Sequence, residues 1–173
     1  MIRGADRLNR RLSGMEDVGS VEVTMRVVGE AAKMVQGHAK LLCSSDTGEL
    51  RRNIYTDVEC RDGVVYGVCY TNKAYAVYVE LGTGPRGEAD HDGISPAINP
   101  VYAQSPWWIH ESQIDKEAAE KYGWFYIDTP DGRFYQCSGQ AAQPYLYPAL
   151  KDHEGDITEM IRDGIREEIR RRT

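Results

Sequence analysis

At 173 residues, 41% of them apolar and 28% charged, the chain has the make-up of one soluble globular domain able to bury a core. Its formal net charge of -6 argues against a protein built chiefly to grip phosphates, since such domains are basic. No run approaches the ~18 apolar residues of a membrane span, and no apolar signal-peptide core opens the sequence.

Residues 2–13 hold Leu8 and Leu12 among arginines and read as a short amphipathic helix interrupted by Gly14. From Gly19 to Cys43, Val21, Met25, Val28, Ala32, Val35, Ala39 and Leu42 recur at alternating steps of four and three. That is an apolar stripe on one long helix, and its small residues suit close packing on a sheet or a second helix. Ser44 to Gly48 then form a polar turn. Asp46-Thr47-Gly48 is the aspartic-protease triplet, yet no apolar strand precedes it and its echo, Asp128-Thr129-Pro130, lacks the glycine. The triplet is better read as a turn, with Asp46 or Thr47 capping residues 49–53. Leu50–Glu59 and Val64–Tyr70 read as strands of a hairpin around Asp62-Gly63. The four cysteines, Cys43, Cys60, Cys69 and Cys137, form no C-x-x-C pair and read as reduced thiols of a cytosolic protein, with Cys60 and Cys69 able to face each other across the hairpin.

Asn72 to Gly84 is the stretch around which the chain is organised. It is strongly apolar, carries one carboxylate, Glu80, and ends in Gly82-Thr83-Gly84. A short helix capped by Asn72 and stopped by Gly82 competes here with a strand buried on both faces; the two stop signals favour the helix, and either form is core. A buried Glu80 requires a partner: backbone N–H groups of the following turn, or an arginine. Residues 85–121 are proline- and glycine-punctuated with little periodicity, an irregular arm holding the apolar knot Trp107-Trp108-Ile109 and a short helix at 114–122. Trp124–Asp128 and Arg133–Cys137 form a second hairpin around Pro130-Asp131-Gly132. A final helix follows Pro144 and Pro148, with Ile157, Met160, Ile161, Ile165 and Ile169 along one side.

The chemistry-bearing clusters are sparse. Gly82–Gly87 lacks the lysine and the strand-to-helix frame of a phosphate loop. His91, Asp92 and His110 could serve a metal-dependent hydrolase, although a solvated loop is the default and no calcium-hand pattern completes it. No frame places a catalytic serine. Arg170-Arg171-Arg172 could touch nucleic acid, but a solvated helix end is the ordinary reading. The residues by themselves give an α+β domain with long N- and C-terminal helices packed on a small antiparallel sheet, no catalytic residue, no cofactor and no metal.

Three separated blocks change that anonymity. The long helix leads into Asp46-Thr47-Gly48-Glu49-Leu50-Arg51; Tyr75-Ala76-Val77-Tyr78-Val79-Glu80-Leu81-Gly82-Thr83-Gly84 follows; Gly139 to Pro144 runs on to Pro148-Ala149-Leu150. Together with Ile2-Arg3-Gly4, their order and spacing resemble the neck and tail-component family of long-tailed bacteriophages: head–tail joining, tail completion or tail terminator proteins. Ser45, Leu81 and Tyr145 are small departures from that pattern. The resemblance covers most of the chain outside the arm. It implies a structural virion protein that forms a ring, hexameric on the sixfold axis, in the neck or at the head-proximal tail end. Its partners would be copies of itself and other neck, connector or tail tube proteins; DNA would pass through the channel without sequence-specific binding, and no membrane is involved. The protein would reside in the virion, and in the bacterial host cytoplasm during assembly. Asp46, Thr47, Gly48, Leu50, Tyr75, Glu80, Gly82, Thr83, Gly84, Pro144 and Pro148 are the family-motif positions, read as architectural. Trp107, Trp108, Trp124 and Tyr126 are candidates for the subunit interface, because a ring needs an element that reaches the next subunit.

Overall fold

A computed structural model describes residues 21–44, 47–121 and 123–172. The N-terminal helix expected at 2–13, the opening Ile2-Arg3-Gly4, and Ser45-Asp46 lie outside the described residues. The fold is α+β, as expected, and the chain divides into two compact units, residues 1–73 with 145–173, and residues 74–144.

In the first unit the long helix α1 runs Val21–Leu42, followed by the one-turn helix α2, Glu49–Arg52. Strands β1 (Ile54–Arg61) and β2 (Val64–Thr71) form the expected hairpin, and Asp62 and Gly63 both take positive φ as a tight primed turn demands. Two C-terminal helices complete the unit. Helix α1 packs on both strands and also on these C-terminal helices. That double coverage changes the buried stripe. Val21 and Leu42 are exposed, whereas Val23, Val27, Ala31, Val35, Ala39 and Cys43 form a row of every fourth residue, with Ala32 beside it. A helix covered on one side only shows the narrower stripe expected; one covered on two sides buries a wider arc.

The expected small-residue contact is present: a Cβ on Gly67 of β2 would stand 2.9 Å from Val28 Cγ1 and 3.3 Å from Ala32 Cβ. Residues 50–52, expected as strand, are helical instead and Asn53 is their C-cap, because buried Leu50 anchors the turn and Asn53 closes it through bonds to the Glu49 carbonyl. Cys60 and Cys69 do not face each other. Cys60 opposes Val65 and Cys69 opposes Thr56, so the register separates them, and both are free. Burial raises the Cys69 thiol pKa, an effect that Lys40 partly offsets.

The single C-terminal helix expected is two, α6, Leu146–Lys151, and α7, Glu154–Arg172, with a turn at Asp152-His153 between them. Pro148 sits in the first turn of α6, where a missing N–H costs little. The isoleucines of α7 are half-buried on one side, as expected. One anchor was not legible as such: Glu168 is only 3% exposed and accepts from Arg26 Nη2 of α1 at 3.0 Å and from Arg171 Nη2 at 2.7 Å. Near the other end of the pair, the rings of His38 and His153 stack with centroids 3.4 Å apart.

The second unit holds α3 (Ala76–Leu81), α4 (Gly84–Ala89), β3 (Trp107–His110), the short helix α5 (Lys116–Lys121), β4 (Tyr126–Thr129) and β5 (Gly132–Cys137). The expected second hairpin is β4–β5. The arm is not irregular throughout: its Trp107–His110 segment pairs antiparallel with β5, giving a three-stranded sheet in the order β3-β5-β4. Four residues of strand were hidden in the sequence by the prolines around them.

Glu168→Gln keeps the shape and removes the charge shared by two arginines. Because Arg26 and Arg171 are themselves half or more exposed, the loss should be moderate, about 1–2 kcal/mol. Thermal unfolding checks it: a melting point unchanged from the parent contradicts the anchor.

Candidate functional site: an apolar groove in the second unit

The organising stretch is helical, and Gly82 ends α3 at φ 76, as its stop signal requires. Asn72 does not cap it. Strand β2 continues to Thr71, the helix begins at Ala76, and Tyr75 takes the N-cap place without a capping bond from its side chain. The expectation that the whole stretch is core also fails. Within α3 only Ala76 and Glu80, spaced i and i+4, are buried, with Gly82 and Gly84 buried beyond it, while Tyr75, Val77 and Tyr78 are exposed, Tyr78 at 55%. Glu80, at 9% exposure, is not without a partner.

The outward turn of these apolar side chains has a backbone cause. Gln143 N–H donates to the Val79 carbonyl (2.8 Å), Gln140 Nε2 to the Tyr78 carbonyl (2.8 Å) and the Tyr102 hydroxyl to the Leu81 carbonyl (2.7 Å). Thr83 and Gln140 exchange both backbone bonds, Thr83 N to Gln140 O at 2.9 Å and Gln140 N to Thr83 O at 3.1 Å, and Arg86 N donates to Ser138 O. Polar backbone bonds hold α3, which leaves its apolar residues available. The approach is so close that a Cβ on Gly139, itself at φ 80, would fall on the Thr83 carbonyl, and one on Gly82 would stand 2.8 Å from Ala142 N. Gly84, at the start of α4, has Ser138 O and Trp107 Cζ3 each 2.9 Å from its would-be Cβ.

Beside this knot lies an open groove of about 700 Å³, lined by Tyr75, Val77, Tyr78, Val101, Tyr102 and Trp107 among others. Val101 is 96% exposed. Burial and then Glu88 raise the Tyr102 phenol pKa. The lining offers surface for packing.

The expected interface residues do not form one anchor. Strand alternation sends Trp107 and Trp108 to opposite faces of β3. Trp107 joins the groove. Trp108 meets Phe125, ring centroids 6.0 Å apart, on a face where Phe125 is 62% exposed and Ile127 is also exposed. Tyr126 stacks under the Arg133 guanidinium, whose carbon lies 3.9 Å from the ring centre, and its ring lies 5.9 Å from that of buried Tyr135. Trp124 is half-buried and bonds back to α5 through its N–H to the Ala119 carbonyl.

Of the other motif positions, Thr47 Oγ1 accepts from Glu49 N at 3.3 Å and Gly48 takes φ 71 at the start of α2. Pro144 closes the second unit and Tyr145 after it is fully buried in the first. The metal candidates are engaged separately. His91 Nδ1 lies 3.1 Å from the Gly87 carbonyl, and the two nitrogens of His110 lie 2.7 Å from Ser112 Oγ and 3.0 Å from the Asp131 carbonyl. Among the described residues, no three His, Cys, Asp or Glu side chains gather as metal ligands, and no helix is long and apolar enough to cross a membrane.

Residues 6–82 match the family model described as "Bacteriophage HK97-gp10, putative tail-component". The resemblance to a phage tail-component family therefore holds. The match contains the first block and the helix α3, and stops just before Thr83; the groove's far wall and the third block lie beyond it. It supports a phage tail-component role in general. No curated protein and no solved structure matches the chain.

What sequence reasoning missed was the partner of the Gly-Thr-Gly turn. Its signal was present in Gly139-Gln140, singled out as a separate block with no reason to expect contact. Gly139→Ala should cost about 2–4 kcal/mol, from left-handed strain plus overlap with Thr83. Gly63→Ala, equally left-handed (φ 78) but with nothing within 4 Å of the added Cβ, should cost about 1 kcal/mol. Equal losses in denaturant titrations would remove the close-approach argument. Glu80→Ala should lower stability by about 1–3 kcal/mol by orphaning its buried partner. An unchanged unfolding curve with lost assembly would make Glu80 an interface residue instead.

Proposed function

We propose that the protein is a structural component of a tailed-phage virion that forms a ring in the neck or at the head-proximal end of the tail, where it serves head–tail joining or tail completion. The observation that carries this reading is the groove. A helix inside the family-matched segment turns Tyr75, Val77 and Tyr78 to solvent beside Val101 and Trp107, and an apolar surface of that kind marks a site of protein association. The Trp108–Phe125–Ile127 face offers a second such surface on the same unit. Two separate surfaces suit a subunit with more than one neighbour, such as its own copies on either side and a connector or tail tube protein above or below. An acidic balance of -6 also suits a channel through which DNA slides without being held, if the excess carboxylates face the bore.

Lysates of the parent phage or prophage with this gene deleted test the reading by electron microscopy. DNA-filled heads beside detached tails, or heads with aberrant tails, are expected; intact infectious particles overturn it. Complementation refines the site. Val77→Asp, which charges the groove without touching the core, should leave the melting temperature within a few degrees and reduce infectious particles at least tenfold. Wild-type titres from that variant would remove the groove from the interface.

A further inference from the structure

The first unit carries a feature outside the groove. Strand β2 reads Val64-Val65-Tyr66-Gly67-Val68-Cys69-Tyr70-Thr71: eight residues with no charge and no proline, none of them buried. Among the described residues its sheet contains only β1, so the other edge of β2 has no strand beside it. Proteins that stay monomeric blunt such edges with lysine, proline, bulges or a covering element. Strand β2 uses none of the sequence devices, while β1 carries Asp57, Glu59 and Arg61. One face of the hairpin is held by α1 through Gly67, Val58 and Ile54. The opposite face presents Tyr55 against Tyr70 and Glu59 against Tyr66, and all three tyrosines are exposed.

We propose that the open edge of β2 docks strand β1 of a second copy of this chain, in antiparallel register, so that a ring is stitched by main-chain hydrogen bonds between neighbours. This rests on the ring reading above and names its contact. Three observations select the occupant. Both strands have eight residues, so a copy supplies a strand of matching length. A head-to-tail contact of β2 with β1 uses both free edges of every subunit and leaves none when the ring closes, whereas a foreign strand leaves β1 open. Pairing β1 with β1 of another copy would bring Asp57 and Glu59 near their equivalents, a like-charge juxtaposition that β2, having no charge, does not impose. Rotation about an axis running along the strands keeps neighbouring β1 strands parallel, which makes each antiparallel to the β2 it meets. The tyrosine face would then continue from one subunit to the next, with phenol hydroxyls available to the charged residues of the docked β1.

The test uses full-length chains in particles. In a background with Cys60→Ser, Cys69→Ser and Cys137→Ser, which leaves only the buried Cys43, two differently tagged copies are co-expressed in the deletion lysate: one with Tyr66→Cys in β2, the other with a single cysteine in β1 (Asp57→Cys, Glu59→Cys or Arg61→Cys in turn). Oxidation should give a disulfide dimer containing both tags for at least one β1 position, and only in assembled particles. Same-tag Tyr66→Cys dimers would mean isologous β2–β2 pairing and overturn the proposal. Particles that contain the protein as a ring but give no mixed dimer would overturn it and leave the ring reading intact. Absence of the protein from particles would refute both. Independently, Tyr66→Lys with Val68→Lys should melt within a few degrees of the parent while lowering incorporation at least tenfold; normal incorporation would count against the edge.

Discussion

The second unit depends on a close backbone crossing, where Gly82-Thr83-Gly84 lies against Ser138-Gly139-Gln140. Two reciprocal N–H···O bonds join Thr83 to Gln140, and neighbouring carbonyls of α3 are taken by Gln140 and Gln143. The chains come together so tightly that Cβ atoms are excluded at Gly82 and Gly139. A helix as short as α3 cannot be held by propensity; it is held by these bonds from a segment some sixty residues away in sequence. The crossing also fixes where α4 starts and where β5 ends, and through Trp107 it sets one wall of the groove.

That arrangement has a consequence for where apolar residues go. In an ordinary core, burial of Val77 and Tyr78 would stabilise the helix and take them out of use. Here hydrogen bonds to the main chain do the anchoring, so the apolar side chains are released to solvent. The first unit solves the converse problem. Its helix α1 is clasped by the hairpin on one side and by the C-terminal helices on another, with Glu168 shared between two arginines; among the described residues the tyrosines on the hairpin's far face are exposed and no further strand pairs with β2. Each unit is therefore stable by means that leave apolar surface free, as the proposed assembly role requires.

Much of the fold was legible because it is locally encoded. The long helix, both hairpins, the Gly82 stop and the proline-led C-terminal helix follow from periodicity and from turn residues whose φ is restricted. The short strand β3 was not legible: Trp107–His110 is too brief for alternation to register, and its strand character comes from β5. Nor was the burial pattern of α1, since a sequence stripe reports the preferred face and not the number of neighbours. Of the site, Tyr75 and Gly82 to Gly84 were named from motif resemblance, but as core. Gly82 and Gly84 are indeed buried, whereas the exposure of Tyr75, Val77 and Tyr78 depended on Gln140 and Gln143 binding the helix backbone, a long-range fact.

By itself, then, the sequence determined the class of the fold, the positions of its main helices and hairpins, and the family resemblance, since these rest on local steric rules and on spacing along the chain. Only the tertiary structure decided which apolar residues face water, that Trp107 and Trp108 part to opposite faces, that Cys60 and Cys69 stand out of register, and that among the described residues no further strand pairs with β2. Those properties belong to pairs of segments, and the physical reason is that burial and hydrogen-bond satisfaction are settled by whatever neighbour arrives, however far along the chain it lies.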